Sequence, residues 1–128
     1  HLRTGQSAKA REFFENAKAQ AQAARSVVGE SRALANLAGI KGAAGEYGEA
    51  EAGFLAALEL ARNSGDRLDE ARVLYNLGRL TLAQGRQPEA VKQLEAAHAL
   101  ALTLGWREGI ASAAQALDGL KAAKGVKG

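Results

Sequence analysis

The chain repeats itself every forty residues, and that period governs what it can fold into. Arg32 to Arg67 aligns on Arg72 to Arg107 without a gap. Leu34 meets Leu74, Asn36-Leu37 meets Asn76-Leu77, Gly45 meets Gly85, Glu49-Ala50 meets Glu89-Ala90, and Leu60-Ala61 meets Leu100-Ala101. The same shift lays Gly5, Ala10 and Phe14 on Gly45, Ala50 and Phe54, and lays Ala111, Leu117, Leu120 and Gly125 on Ala71, Leu77, Leu80 and Gly85. A period of this length means a stack of similar units, each of which buries its apolar face only against its neighbours.

Composition says what those units are. Hydrophobic residues make up 47% of the 128-residue chain, alanine supplies half of them, and the aromatics are one Trp, two Tyr and three Phe. Such a chain cannot fill a wide globular core, but alanine favours helix and lets helices approach closely. Val, Ile and Thr are scarce and never alternate over a strand-length run, which argues against a sheet. Proline occurs once, at Pro88, so helices run nearly uninterrupted.

Each repeat divides into two helical segments around a glycine. Leu74, Leu77, Leu80 and Thr81 recur at helical spacing. Gly85 then supplies a left-handed stop, and Pro88 suits the first turn of the next helix. Beyond it, Ala90, Leu94, Ala97 and Ala101 form a narrow face that ends before Gly105. Ala50, Phe54, Ala57 and Ala61 repeat that face, as do Ala10, Phe14, Ala17 and Ala21. Six helices are expected, over 8–25, 30–44, 48–63, 68–84, 88–103 and 108–123, with short connections that make neighbours antiparallel. The expected organisation is one domain over 1–128: a partial repeat 1–29, repeats 30–69 and 70–109, and a terminal helix 110–128. The first five residues read as the stub of an earlier helix. A chain that opens at His1 without methionine reads as a fragment or as carrying a tag remnant.

These residues resemble the tetratricopeptide repeat. Leu77-Gly78 matches the first part of that family's pattern, and Ala50-x₃-Phe54 and Ala10-x₃-Phe14 match the second, with Ala90-x₃-Leu94 a softened version. Thr81 and Lys41 stand where an aromatic is usual, Ala38 replaces one glycine, and no closing proline occurs. The forty-residue period is similar to the long-repeat branch seen in Pins-type spindle-orientation adaptors and kinesin light chains. Arg32-Ala33-Leu34-Ala35-Asn36-Leu37-Ala38, Arg72-Val73-Leu74-Tyr75-Asn76-Leu77-Gly78 and the loop Gly65-Asp66-Arg67 carry that likeness. The resemblance implies an all-α fold, a right-handed α-α superhelix of about six antiparallel helices.

Little in the chain points to catalysis. His1 stands at the chain end, and His98 has no second ligand arranged around it, so no metal site is expected. Carboxylates such as Glu12/Glu15, Glu49/Glu51 and Asp69/Glu70 fall in first turns or on exposed faces, where they suit the helix dipole. Ser7, Ser26, Ser31, Ser64 and Ser112 lie near expected helix ends and read as caps. No phosphate-loop pattern occurs, and no cofactor is expected. Without cysteine there is neither disulfide nor thiolate site. The net charge of +3 is too mild to imply nucleic acid, and Lys121, Lys124 and Lys127 read as solvation of a chain end. No apolar run is long enough for a membrane span. A soluble cytoplasmic protein is expected.

The resemblance implies that the first helix of each pair lines a concave groove. With Leu74, Leu77 and Thr81 turned to the partner helix, the opposite stripe carries Arg72, Tyr75, Asn76, Arg79 and Ala83. The preceding copy contributes Arg32, Ala35, Asn36 and Gly39, and the following one Ser112, Gln115, Ala116 and Gly119. The expected groove therefore holds arginine, asparagine, tyrosine and glutamine, and no carboxylate. Asparagine both donates to and accepts from a peptide backbone, and arginine grips a carboxylate with two bonds. Each charge-assisted bond contributes about 1.5–3 kcal/mol, so three or four support roughly micromolar binding.

The expected function is a non-catalytic protein–protein interaction module. Its partner would be an extended or helical, acidic segment of another protein, held by Arg32, Asn36, Arg72, Tyr75, Asn76, Arg79 and Gln115. Two alternatives compete with this reading. One is a sensor or regulatory segment of a larger transcription regulator or signalling protein. The other is a scaffold that self-assembles through uncapped ends, where Phe13 or Phe14 and Ile110, Leu117 and Leu120 are expected to be exposed.

Overall fold

The computed structural model describes residues 4–23 and 27–123, with side chains described over 8–19 and 29–120. Helices α1 (Thr4–Ala23), α2 (Val27–Ala43), α3 (Tyr47–Ser64), α4 (Arg67–Ala83), α5 (Gln87–Leu104) and α6 (Arg107–Ala123) follow in order, and no strand occurs among the described residues. The expected bounds of α3 to α6 hold to within one residue. Helix α1 begins earlier than expected, and Thr4 and Gly5 belong to it rather than to a separate stub. Its first turn is polar, so an apolar pattern had nothing there to register. Residues 1–3, Gly125 and the side chains of Ser7, Ala21, Ser26, Lys121, Lys124 and Lys127 lie outside those described.

One device makes each of the four turns between α2 and α6. Gly45, Gly65, Gly85 and Gly105 stand twenty residues apart, and all have positive φ, between 72° and 85°. The residue after each glycine donates its N–H back to the carbonyl five positions earlier: Glu46 to Lys41, Asp66 to Ala61, Arg86 to Thr81 and Trp106 to Ala101. This is the Schellman closure, which satisfies carbonyls that a helix end leaves free. The same residue's carbonyl then accepts the first bond of the following helix, from Ala50, Glu70, Ala90 and Ile110 respectively. One position thus ends a helix and starts the next.

Packing pairs α2 with α3 and α4 with α5, while α1 lies on α2, α3 on α4 and α5 on α6. Ala50, Phe54, Ala57, Ala61, Ala90, Leu94, Ala97 and Ala101 are all buried, as the narrow-face reading requires. Burial of Phe54 and of Leu94 contributes about 1.5–3 kcal/mol each. The approach within each pair is close. A Cβ on Gly78 would stand 2.8 Å from Leu94. In the preceding pair the alanine at 38 is accommodated from the other side, because position 53 is glycine; a Cβ there would come within 3.0 Å of the Ala38 methyl. Thr81 replaces the usual aromatic and is buried, its hydroxyl donating to the Leu77 carbonyl at 2.9 Å.

Along the stack, α2 touches α4 and α4 touches α6, whereas α1 and α3, and α3 and α5, do not meet among the described residues. The α2–α4–α6 layer is therefore the more closely packed one along the stack. An ion pair bridges successive units in the other layer. Arg11 pairs with Glu46 at 3.3 Å, and forty residues on, Glu51 pairs with Arg86 at 3.4 Å. The same contact thus recurs with its charges exchanged. The hydrogen bond from Arg86 to Glu89, followed by the charges of Glu89 and Glu51, holds the Arg86 guanidinium above its ordinary pKa.

Two expectations about the serines and the ends are corrected. Ser31 is not a cap but lies inside α2, 1% exposed, and Ser112 is likewise interior to α6. The short connections begin α2 and α6 earlier than those serines, which moves both into the body of a helix. Ser64 does sit at a helix end, donating to the Ala61 carbonyl. Phe13 is exposed as expected, at 66%, but Leu120 is buried and Ile110 and Leu117 are half-buried. Leu120 occupies the register of Leu80 and turns inward with it.

Candidate functional site

The inner layer carries two open depressions and a cleft that joins them. The first, about 440 Å³, lies between α2 and α4. Asn36, Asn76 and Arg79 are its polar side chains from α2 and α4, Ala35, Gly39 and Ala83 leave it wide, and Tyr47 and Phe54 reach it from α3. The second, about 530 Å³, lies between α4 and α6 and is lined by Arg72, Tyr75, Asn76, Trp106, Glu108 and Ser112. The joining cleft includes Arg32, Asn36, Arg72 and Asn76. Asn76 borders all three, so it stands at the middle of the surface.

The helical period explains this placement. On α4, Leu74, Leu77 and Thr81 are buried, which turns Arg72, Asn76 and Arg79 to the opposite side. Arg32 and Asn36 occupy the same positions on α2. Six of the seven expected residues are thus brought together: Arg32, Asn36, Arg72, Tyr75, Asn76 and Arg79. Gln115 is exposed on α6 but lines neither depression.

The guanidinium groups are not idle surface charges. The Arg72 guanidinium lies over the Trp106 ring, 5.7 Å from its centre, and that of Arg79 over the Tyr75 ring at 5.8 Å, within cation–π range. Stacking holds a guanidinium by its face and leaves its N–H edges free to donate. Among the described residues the ion pairs engage Arg11, Lys41, Arg62 and Arg86; none engages Arg32, Arg72 or Arg79. The groove therefore presents cationic edges held in place by aromatic rings and not neutralised within the chain.

The expectation of a groove without carboxylates is corrected by Glu108, which lines the second depression. It lies one helical turn before Ser112, so carrying the inner stripe one turn further back would have found it. Asp69 borders the joining cleft but is buried, with its Oδ2 accepting from the Ser31 hydroxyl at 2.5 Å. Trp106 was missed for a different reason. It belongs to a connection, not to the helical stripe, and only its turn toward α4 brings it to the groove. Among the described residues no group of three His, Cys, Asp or Glu side chains gathers as a metal site, and no helix is long and apolar enough to cross a membrane.

The geometry defines an all-α helical-repeat superhelix with an open, polar inner surface. A family model described as Tetratricopeptide repeat matches residues 29–103, more than half of the chain. The chain belongs to the tetratricopeptide repeat family. Such repeats are generally protein–protein interaction modules, and the family is typically non-catalytic. No curated protein matches the chain.

Proposed function

We propose that this domain is a non-catalytic, cytoplasmic interaction module that holds an acidic peptide segment of another protein along the α2–α4–α6 surface. One observation carries the reading: Arg32, Arg72 and Arg79 face one continuous surface with Asn36 and Asn76, without a carboxylate in ion-pair contact. A peptide carboxylate supplies that missing partner. Asn36 and Asn76 are placed to bond the peptide backbone, donating and accepting at once. Ala35, Gly39 and Ala83 leave space for a main chain to lie close. In this reading the whole of 1–128 acts as one domain, with 30–69 and 70–109 as its complete repeats.

The test is a charge reversal. Arg72→Glu with Arg79→Glu is expected to abolish capture of acidic peptides in a titration, with helical circular dichroism unchanged because both side chains are exposed. Undiminished binding by the double variant would place the interaction elsewhere. Self-association is a second reading, favoured by Phe13, which is two-thirds exposed on α1.

A further inference from the structure

We infer that the depression between α4 and α6 selects a neutral aromatic or bulky apolar side chain of the bound segment, and that Trp106 and Gly109 are the residues that build this selectivity. The inference rests on the peptide-groove reading and adds a second requirement to it.

Charge balance separates the two depressions. The one between α2 and α4 holds Arg79 with two asparagines and no carboxylate, so it favours an anion. The one between α4 and α6 holds both Arg72 and Glu108, neither in an ion pair. A cationic guest there is drawn by Glu108 and repelled by Arg72, and an anionic guest the reverse, so neither sign of charge is favoured on balance. A neutral side chain gains contact with the rings of Trp106 and Tyr75. The guanidinium of Arg72 lies over the Trp106 ring, 5.7 Å from its centre, and borders the same depression.

The repeat is altered at this place in a way that seats the ring. The forty-residue shift lays Trp106 on Asp66, Gly109 on Asp69 and Ala111 on Ala71. Between α2 and α4 the corresponding step is closed by the hydrogen bond from Ser31 to Asp69. Between α4 and α6 those two positions are Ala71 and Gly109, and no such bond is available. Trp106 occupies the space instead. A Cβ on Gly109 would overlap the six-membered ring of Trp106, so the indole takes this position only because residue 109 has no side chain. Gly109 is helical, with no positive φ to demand glycine. Its lack of a side chain therefore serves the ring and not the backbone. The partner segment then carries an acidic residue over α2–α4 and a neutral ring or bulky aliphatic over α4–α6.

Short random peptides displayed on phage are selected against the wild-type chain, Trp106→Ala and Arg79→Glu. Wild type is expected to return peptides that pair an acid with an aromatic or bulky apolar residue at a constant offset. Trp106→Ala is expected to keep the acid and lose the ring, and Arg79→Glu to lose the acid. A synthetic peptide from the wild-type selection should shift the fluorescence of Trp106, the single tryptophan of the chain. Replacing its ring residue by alanine should weaken binding about tenfold, the scale of one aromatic contact. Gly109→Ala, which displaces the indole while improving helix propensity, should abolish that preference without unfolding the protein. Retention of the ring preference by Trp106→Ala, enrichment of lysine or arginine in its place, or an unshifted Trp106 emission in the complex would overturn the inference. If wild type returns no peptides, or Arg79→Glu returns the same acids, the groove reading beneath it fails.

Discussion

Removing the Ser31 hydroxyl should destabilise the protein more than removing the carboxylate it serves. Ser31 and Asp69 are 1% and 4% exposed, and they join α2 to α4 across the stack. The hydroxyl stands 2.5 Å from Asp69 Oδ2 and 3.1 Å from the Ala57 carbonyl. Its single proton goes to the nearer, charged acceptor. Ser31→Ala leaves a buried carboxylate without that donor. A hydrogen bond to a charged group contributes about 1.5–3 kcal/mol, and an unsatisfied buried charge adds to the loss, so about 2–3 kcal/mol is expected. Asp69→Ala deletes the charge and its desolvation together. The freed hydroxyl then donates to the Ala57 carbonyl already within reach, and the loss falls to about 1 kcal/mol. The double variant should resemble Asp69→Ala alone, giving a coupling of about 2–3 kcal/mol, the whole of the Ser31→Ala loss. Urea unfolding of the four proteins, followed by circular dichroism at constant slope, measures each difference. The reasoning is refuted if Asp69→Ala is the costlier single change, or if the two losses simply add.

Other outcomes follow from the same packing. Leu77→Ala should cost about 2–5 kcal/mol in urea unfolding, whereas Arg72→Ala should stay within about 0.5 kcal/mol, since the first is buried and the second exposed. Gly85→Ala should destabilise by about 1 kcal/mol or more, because φ is +81° there. Gly39→Ala, in the body of α2 with nothing within 4 Å of an added Cβ, should instead stabilise by about 0.5–1 kcal/mol while narrowing the first depression and weakening peptide capture. Sedimentation of the wild-type chain should show concentration-dependent association that Phe13→Ser removes; a monomer at every concentration would discard the self-association reading.

The elements of this protein were legible because their causes are local. A glycine stop every twenty residues, Pro88 in a first turn and the faces Ala50-Phe54-Ala57-Ala61 and Ala90-Leu94-Ala97-Ala101 act through neighbours three or four residues away along one helix. The repeat then placed Arg32 with Arg72 and Asn36 with Asn76 on a common stripe, since identical phase on parallel helices puts side chains on the same side. Contacts between helices had no such signal. Ser31 resembled a cap in the sequence, and Asp69 resembled an exposed acid. Their union depends on the distance between α2 and α4, which no spacing along the chain encodes. Trp106 and Glu108 reached the groove only when the Gly105 turn and the bare backbone of Gly109 set the direction of the ring and the start of α6. Local periodicity determined the helices and the faces they bury. Tertiary packing decided which guanidinium lies on which ring and where the second depression opens, because those are through-space relations between repeats that differ at a few positions.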